Sequence, residues 1–231
     1  MSTLVVDDLT LAVQRSSRRR TLQITVERDG SLIVTAPADT DTAVMTAFVR
    51  EKQFWIYEKL AEKAAMQRVV PPKAFVNGEG FLYLGRSYRL KIVEQQDEAL
   101  KLVAGRFQLR GDALPAGRDT FIRWYSERGR TWLRDKVREH AGRMEVSPAE
   151  VRVQDLGYRW GSCGKGNRVY FHWKTILLPR PIAEYVVVHE LVHLHEHHHT
   201  PEFWRRLERA LPDYERRKKQ LAVFGHAADA Y

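Results

Sequence analysis

From Ile182 to Leu194 the chain is apolar almost all the way round a helix. Ile182, Tyr185, Val186, His189 and His193 fall on one stripe, and Val187, Val188, Leu191 and Leu194 cover much of the remainder. Such a helix has no face to give to water, so it belongs at the centre of a fold. The same stretch carries His-Glu-x-x-His at His189, Glu190 and His193. Burying these three side chains without partners would be costly. Residues four apart share a helix face, so His189 and His193 can point two imidazoles at one metal ion. Glu190 then sits beside the ion, placed to take a proton from a bound water. The stretch is therefore expected to be core and reaction centre at once.

A third ligand has to come from elsewhere, with one coordination position left to water. His195, His197, His198 and His199 all follow closely. An uninterrupted helix would keep His197 near the stripe of His189 and His193. However, successive ligands on one straight helix advance by about 6 Å each, which suits two zinc ligands and not three. The chain must turn back, and His199 precedes Thr200-Pro201, a cap followed by a first-turn proline. His199 is the expected third ligand. Glu202 or Glu208 from the following helix is the alternative. His195 and His198 are expected on the surface. Three imidazoles suit zinc.

The rest of the chain reads as scaffold. A length of 231 residues holds one large domain or two small ones, and 44% apolar residues suffice for a core. In residues 3–35, Leu22, Ile24 and Val26 alternate with polar neighbours, and Asp29-Gly30 signals a hairpin turn. From Thr40 to about Arg68 the pattern turns helical, with Val44, Phe48, Trp55 and Leu60 as its apolar face and Pro71-Pro72 ending it. Residues 81–84 and 88–93 read as strands, and 100–109 as a hairpin about Ala104-Gly105. Asp119 to Met144 reads as a second long helix. Short strands are expected at 151–156 and 169–173, joined by a turn-rich connection over 158–167. A final helical region runs from Glu202 into Arg216-Arg217-Lys218-Lys219, expected to be a solvated face. The fold class is α+β: a β-rich region with one long helix over 1–112, then a catalytic domain over 113–231.

Charge and cysteine content bound the setting. The net charge of +9 is compatible with anionic partners and carries no information on fold. The Arg15, Arg18, Arg19 and Arg20 cluster reads as a charged strand edge in preference to a nucleic-acid contact. Cys163 is the single cysteine, which rules out an intrachain disulfide and fits a reducing compartment. The first thirteen residues do not have the form of a signal peptide, and no apolar run approaches a membrane span. The cytoplasm is the expected location.

Several motifs occur together and in order: Tyr158-Arg159-Trp160-Gly161-Ser162-Cys163, then Trp173, then Tyr185 to Leu194, then His199-Thr200-Pro201-Glu202-Phe203-Trp204. With Arg18 to Pro37 and Tyr83-Leu84-Gly85, this combination resembles the YgjP-like metallopeptidase family, which is related to SprT-like and other zincin proteins. The resemblance implies a zincin-like fold with His189, His193 and His199 as zinc ligands and Glu190 as catalytic acid/base. This chain departs from the family's usual pattern at His172, where asparagine is common, and in its extra histidines at 195, 197 and 198. The leading expectation is a zinc-dependent peptidase acting on peptides or proteins. The alternatives are a UTP-type nucleotide pyrophosphohydrolase, to which family members have been linked, and a nucleic-acid-associated binding protein.

Overall fold

The structure is a computed structural model that describes residues 2–27, 29–66, 71–157 and 159–231. Tyr158 and the far end of the helix expected to reach Arg68 lie outside these residues. The chain forms two compact units, Met1–Val69 and Val70–Tyr231.

The first unit is a four-stranded sheet with two helices. Its strands are β1 (Ser2–Val6), β2 (Leu9–Ser16), β3 (Gln23–Val26) and β4 (Leu32–Pro37), in the order β1-β2-β4-β3. The β3–β4 hairpin turns through Gly30, whose φ of 86° a side chain would disfavour. The basic cluster is partly spent on backbone and side-chain capping. Arg15 donates to the Ala38 and Thr40 carbonyls at 2.8 Å each, and Arg19 donates to Gln23 Oε1 at 2.7 Å. The expected long helix is two, α1 (Thr42–Glu51) and α2 (Gln53–Met66), with Lys52 as the C-cap of α1. Asp41 caps α1 by accepting from the Ala43 amide. The buried face is also one position away from the expected one. Met45, Val49 and Ile56 are buried, while Val44 is 52% and Trp55 39% exposed. Phe48 and Leu60 of the expected face are partly buried against the same core, so the buried stripe runs beside the expected one along both helices.

The second unit holds everything else. A sheet of β5 (Gly80–Tyr83), β6 (Arg86–Val93), β7 (Leu100–Val103) and β8 (Arg106–Arg110) runs in the order β5-β6-β8-β7. Its Phe81, Leu90, Phe107 and Leu109 share one core with Phe121, Trp124 and Tyr125 of the long helix α3 (Gly117–Arg143). Phe81 and Phe121 stack at 4.1 Å between centroids. Burying each such side chain contributes about 1.5–3 kcal/mol, and this shared core holds residues on both sides of 112 together. The compact units therefore divide at 69/70, and the expected division at 112/113 falls inside the second unit.

A three-stranded sheet, order β10-β11-β9, lies further along the chain: β9 (Glu150–Gln154), β10 (Gly161–Gly164) and β11 (Arg168–His172). The stretch expected to be only a turn-rich connection contains β10. Gly-Ser-Cys-Gly has no period-two apolar pattern to announce a strand. His172 closes β11 by capping the next turn, its Nδ1 accepting from the Lys174 amide at 3.0 Å. An asparagine oxygen would accept that bond equally well, which accounts physically for the departure at this position.

The HExxH segment forms α4 (Arg180–Val192) and is the centre of a core. Ala183, Val187, Val188 and Leu191 are fully buried among Leu133 of α3, Val169 and Phe171 of β11, and Phe203 and Leu207 of α5 (Pro201–Ala210). The expected final helical region is α5 and α6 (Tyr214–Gly225), separated at Leu211–Asp213. Its basic run is not simply solvated. Arg217 donates to Glu184 of α4 at 2.7 Å and to the Pro181 carbonyl at 3.0 Å. With helices packed on and between small sheets, the fold is α+β, and among the described residues no helix is long and apolar enough to cross a membrane.

Candidate metal centre

Helix α4 supplies two imidazoles and the carboxylate, and its end sends the chain back to deliver a third imidazole. α4 stops at Val192, with His193 as C-cap, and the amides of His195 and Glu196 both return to the Val192 carbonyl at 3.0 and 2.9 Å. Thr200 then caps α5, its Oγ1 accepting from the Phe203 amide at 3.3 Å, with Pro201 in the first turn. This reversal brings His199 to His189: their Nε2 atoms lie 3.0 Å apart. One donor atom from each of His189, His193 and His199 lies within 4.8 Å of the others. Nitrogens about 2.0–2.1 Å from a tetrahedral zinc stand about 3.3–3.4 Å from one another, so these donors have the spacing for such an ion.

The residues around the histidines fix their orientation. His193 Nδ1 is 3.0 Å from the Glu196 carbonyl, a contact that places the proton on Nδ1 and leaves Nε2 as a lone-pair donor. Phe203, fully buried, lies 4.6 Å from His193 and from His199 and 4.9 Å from His189 between ring centroids. Trp204 stacks on His199 at 5.5 Å with 22° between planes. Behind Trp204, Lys218 Nζ sits 4.4 Å from the indole centroid, a cation–π contact. Phe203 and Trp204 were not assigned a role from the sequence. The available signal was their position in the first turn after the Thr200-Pro201 cap.

Burial sets the protonation states that a metal requires. It pushes His189 down to about 3, with His193, His199 and Lys218 adding to the shift. Burial lowers His193 and His199 as well. All three are thus neutral at pH 7, as metal ligands must be. Burial drives Glu190 the other way, up to about 8, against the opposing pull of Arg159. Its Oε2 and His189 Nδ1 are buried with no hydrogen-bond partner among the described residues. An unpartnered buried carboxylate oxygen is costly, and it fits a group that works on a bound molecule. Gly161 of β10 makes room for it. A Cβ there would stand 2.5 Å from Glu190 Cγ and 2.6 Å from Oε1. Beside its pairing with β11, β10 is anchored at its entry by Trp160 O, which accepts from the His172 amide at 2.9 Å and Thr175 Oγ1 at 3.1 Å.

These groups line a cavity of 540 Å³, with Arg159, Gly161, Ser162 and Cys163 on one side and Tyr185, His189, Glu190, His193 and His199 among the other lining residues. His197 is exposed and also lines it, while His198 is exposed and His195 is exposed with Nε2 2.8 Å from the Met144 carbonyl. The carboxylates considered as alternative ligands are not in the donor group. Glu202 pairs with Arg205 at 2.7 Å and Arg206 at 3.1 Å. A second cluster, Glu139, His140 and Glu184, also has ligand spacing. It is already neutralised: Lys136 pairs with Glu139 at 2.6 Å, and Arg217 and His140 pair with Glu184 at 2.7 and 3.0 Å. That cluster ties α3, α4 and α6 together.

Fold and site define a class: an α+β protein whose central helix presents two imidazoles and a carboxylate to a cavity that a third imidazole closes. The family model for the YgjP-like, metallopeptidase domain matches residues 20–224, and the chain belongs to that family. Membership supports a metal-dependent, peptidase-like hydrolase. Comparison with curated proteins and with solved structures gave no match.

Proposed function

We propose that the protein is a zinc-dependent peptidase in which His189, His193 and His199 hold the ion and Glu190 is the general base. The observation that carries this reading is the convergence of three imidazole donors within 4.8 Å beside a buried glutamate whose Oε2 has no partner among the described residues. When bound, zinc supplies Lewis-acid polarisation of a carbonyl and lowers the pKa of a water molecule. Glu190 accepts that water's proton and passes it to the leaving amine. Beside a divalent cation its raised pKa falls back toward neutrality, where a base is most effective. Tyr185, on the cavity wall, is pushed up to about 12 by burial and by Glu190, so its phenol stays protonated and donates to the developing oxyanion.

The edge position of β10 supports a polypeptide substrate. β10 pairs with β11 on one side, and a peptide laid along its other side would add a strand beside Glu190. Nucleotide hydrolysis usually employs Mg²⁺ or Mn²⁺ on oxygen ligands, whereas these donors are nitrogens. The single cysteine supports a cytoplasmic setting.

Metal removal tests the reading. The protein as purified is expected to carry about one zinc per chain by mass spectrometry, and to cleave casein. A chelator should abolish cleavage, and added zinc should restore it. Pyrophosphate release from UTP without casein cleavage would replace the peptidase reading with the nucleotide one.

Gly161→Ala gives a sharper check on Glu190. The added methyl must displace the carboxyl, and misplacement by about 1 Å can cost roughly 10²-fold in rate. The variant is expected to lose kcat on that scale while its zinc content is unchanged. Wild-type kcat in this variant would show that the position of Glu190 does not matter to the reaction.

A further inference from the structure

The charge around the cavity is lopsided. Among its lining residues Arg159 is the one guanidinium and Glu190 the one carboxyl group. Glu190 is buried at 5% exposure, while Arg159 is exposed at the rim. From α6, Lys218 Nζ lies 4.4 Å from the ring of Trp204, which stacks on His199. Nearby acids are already engaged. Glu202 is paired with two arginines, Glu184 with Arg217 and His140, and Asp213 with Arg216 and Arg217. Arg159 differs from those arginines. It donates to Ser162 Oγ at 3.3 Å, and no carboxylate among the described residues forms a salt bridge with it. Even with Glu190 counted as an anion, a divalent ion and Arg159 leave the cavity positive.

Arg159 also stands where a substrate passes. It is two residues before Gly161, at the start of the edge strand β10. A peptide extended along β10 places side chains at about 3.3 Å intervals past that guanidinium. Guanidinium recognises carboxylate by paired, charge-assisted hydrogen bonds.

We propose that Arg159 is a specificity-determining residue, and that the preferred substrates present a carboxylate to it from close beside the scissile bond. The inference rests on the peptidase reading above. The carboxylate is either an Asp or Glu side chain or the substrate's own C-terminus, and the two sources are separable.

The test is binding. Fluorescence anisotropy would be measured on the zinc-loaded Glu190→Gln protein, whose turnover is expected to be strongly suppressed. The probes are labelled peptides, capped at both ends and identical except for a central Glu, Gln or Lys, together with the Gln peptide carrying an uncapped C-terminal carboxylate. The Glu peptide, or the uncapped one, is expected to bind at least about tenfold more tightly than the capped Gln peptide, equivalent to about 1.4 kcal/mol. Whichever of the two gains affinity identifies the source. Adding Arg159→Gln should remove the preference, and Arg159→Lys should restore part of it. Because Arg159 is exposed, neither change disturbs the core. Equal binding of the carboxylate and neutral peptides, or a preference that survives Arg159→Gln, overturns this inference and leaves the peptidase reading standing. Failure of every peptide to bind, with a nucleoside triphosphate bound instead, overturns both.

Discussion

Glu190→Gln is expected to retain the metal, lose turnover by roughly 10²–10⁴-fold and, once stripped of metal, be more stable than the parent at alkaline pH. The first two effects follow from its role. Glutamine preserves the volume beside Gly161 but cannot accept a proton. The third follows from burial. Glu190 is pushed up to about 8 in the folded protein, whereas an unfolded glutamate titrates near 4.5. A carboxyl with a raised folded pKa contributes fully below the unfolded value, and stability is lost as pH rises through the folded value, at about 1.4 kcal/mol per pH unit. His189 works in the opposite direction. Its folded value is about 3 against 6.5, so stability is lost as pH falls from 6.5 toward 3. Melting the metal-free proteins at pH 5 and pH 8 separates the two. The Tm advantage of the variant should be small at pH 5 and larger at pH 8. An advantage independent of pH would mean that Glu190 is not buried as a neutral acid.

His199→Ala is expected to lower zinc affinity by more than about 100-fold, exceeding the 10–100-fold typical of residues that merely support a ligand. Zinc per chain after dialysis against a graded chelator measures it. His195→Ala and His198→Ala, whose side chains are exposed and lie outside the donor group, should bind zinc like the parent. If His199→Ala kept its zinc and a His197→Ala variant lost it, the third ligand would be His197, which also lines the cavity.

What could be read from the residues depended on whether the signal was local. The central helix was legible because Ile182 to Leu194 leaves no polar face, and burial of that kind admits one location. The reversal before α5 was legible because Thr200 and Pro201 are a cap and a first-turn proline. The β10 strand was not, because Gly-Ser-Cys-Gly gains its conformation from pairing with β11 and not from its own pattern. The α1–α2 face was misplaced by one position because apolar residues stand side by side along both helices, Val44 with Met45, Phe48 with Val49 and Trp55 with Ile56, and periodicity alone does not choose between the two stripes. Arg217 could not be distinguished from its neighbours Arg216 and Lys218, since its partner Glu184 is 33 residues away in the chain. Nothing in the spacing revealed that Gly161 is the space into which Glu190 fits.

His199 is ten residues beyond His189 and belongs to the segment joining α4 to α5, whereas His189 and His193 ride on α4 and its cap. An ion held by all three therefore joins two helices that otherwise meet through side-chain contact. Capture would proceed in sequence, with the helix-borne pair arresting the ion first and the returning segment closing over it. Escape would run in reverse, so the residence time of the metal would be set by how often Trp204 lets His199 swing away. The indole that steadies this histidine would then be the latch on a bound ion.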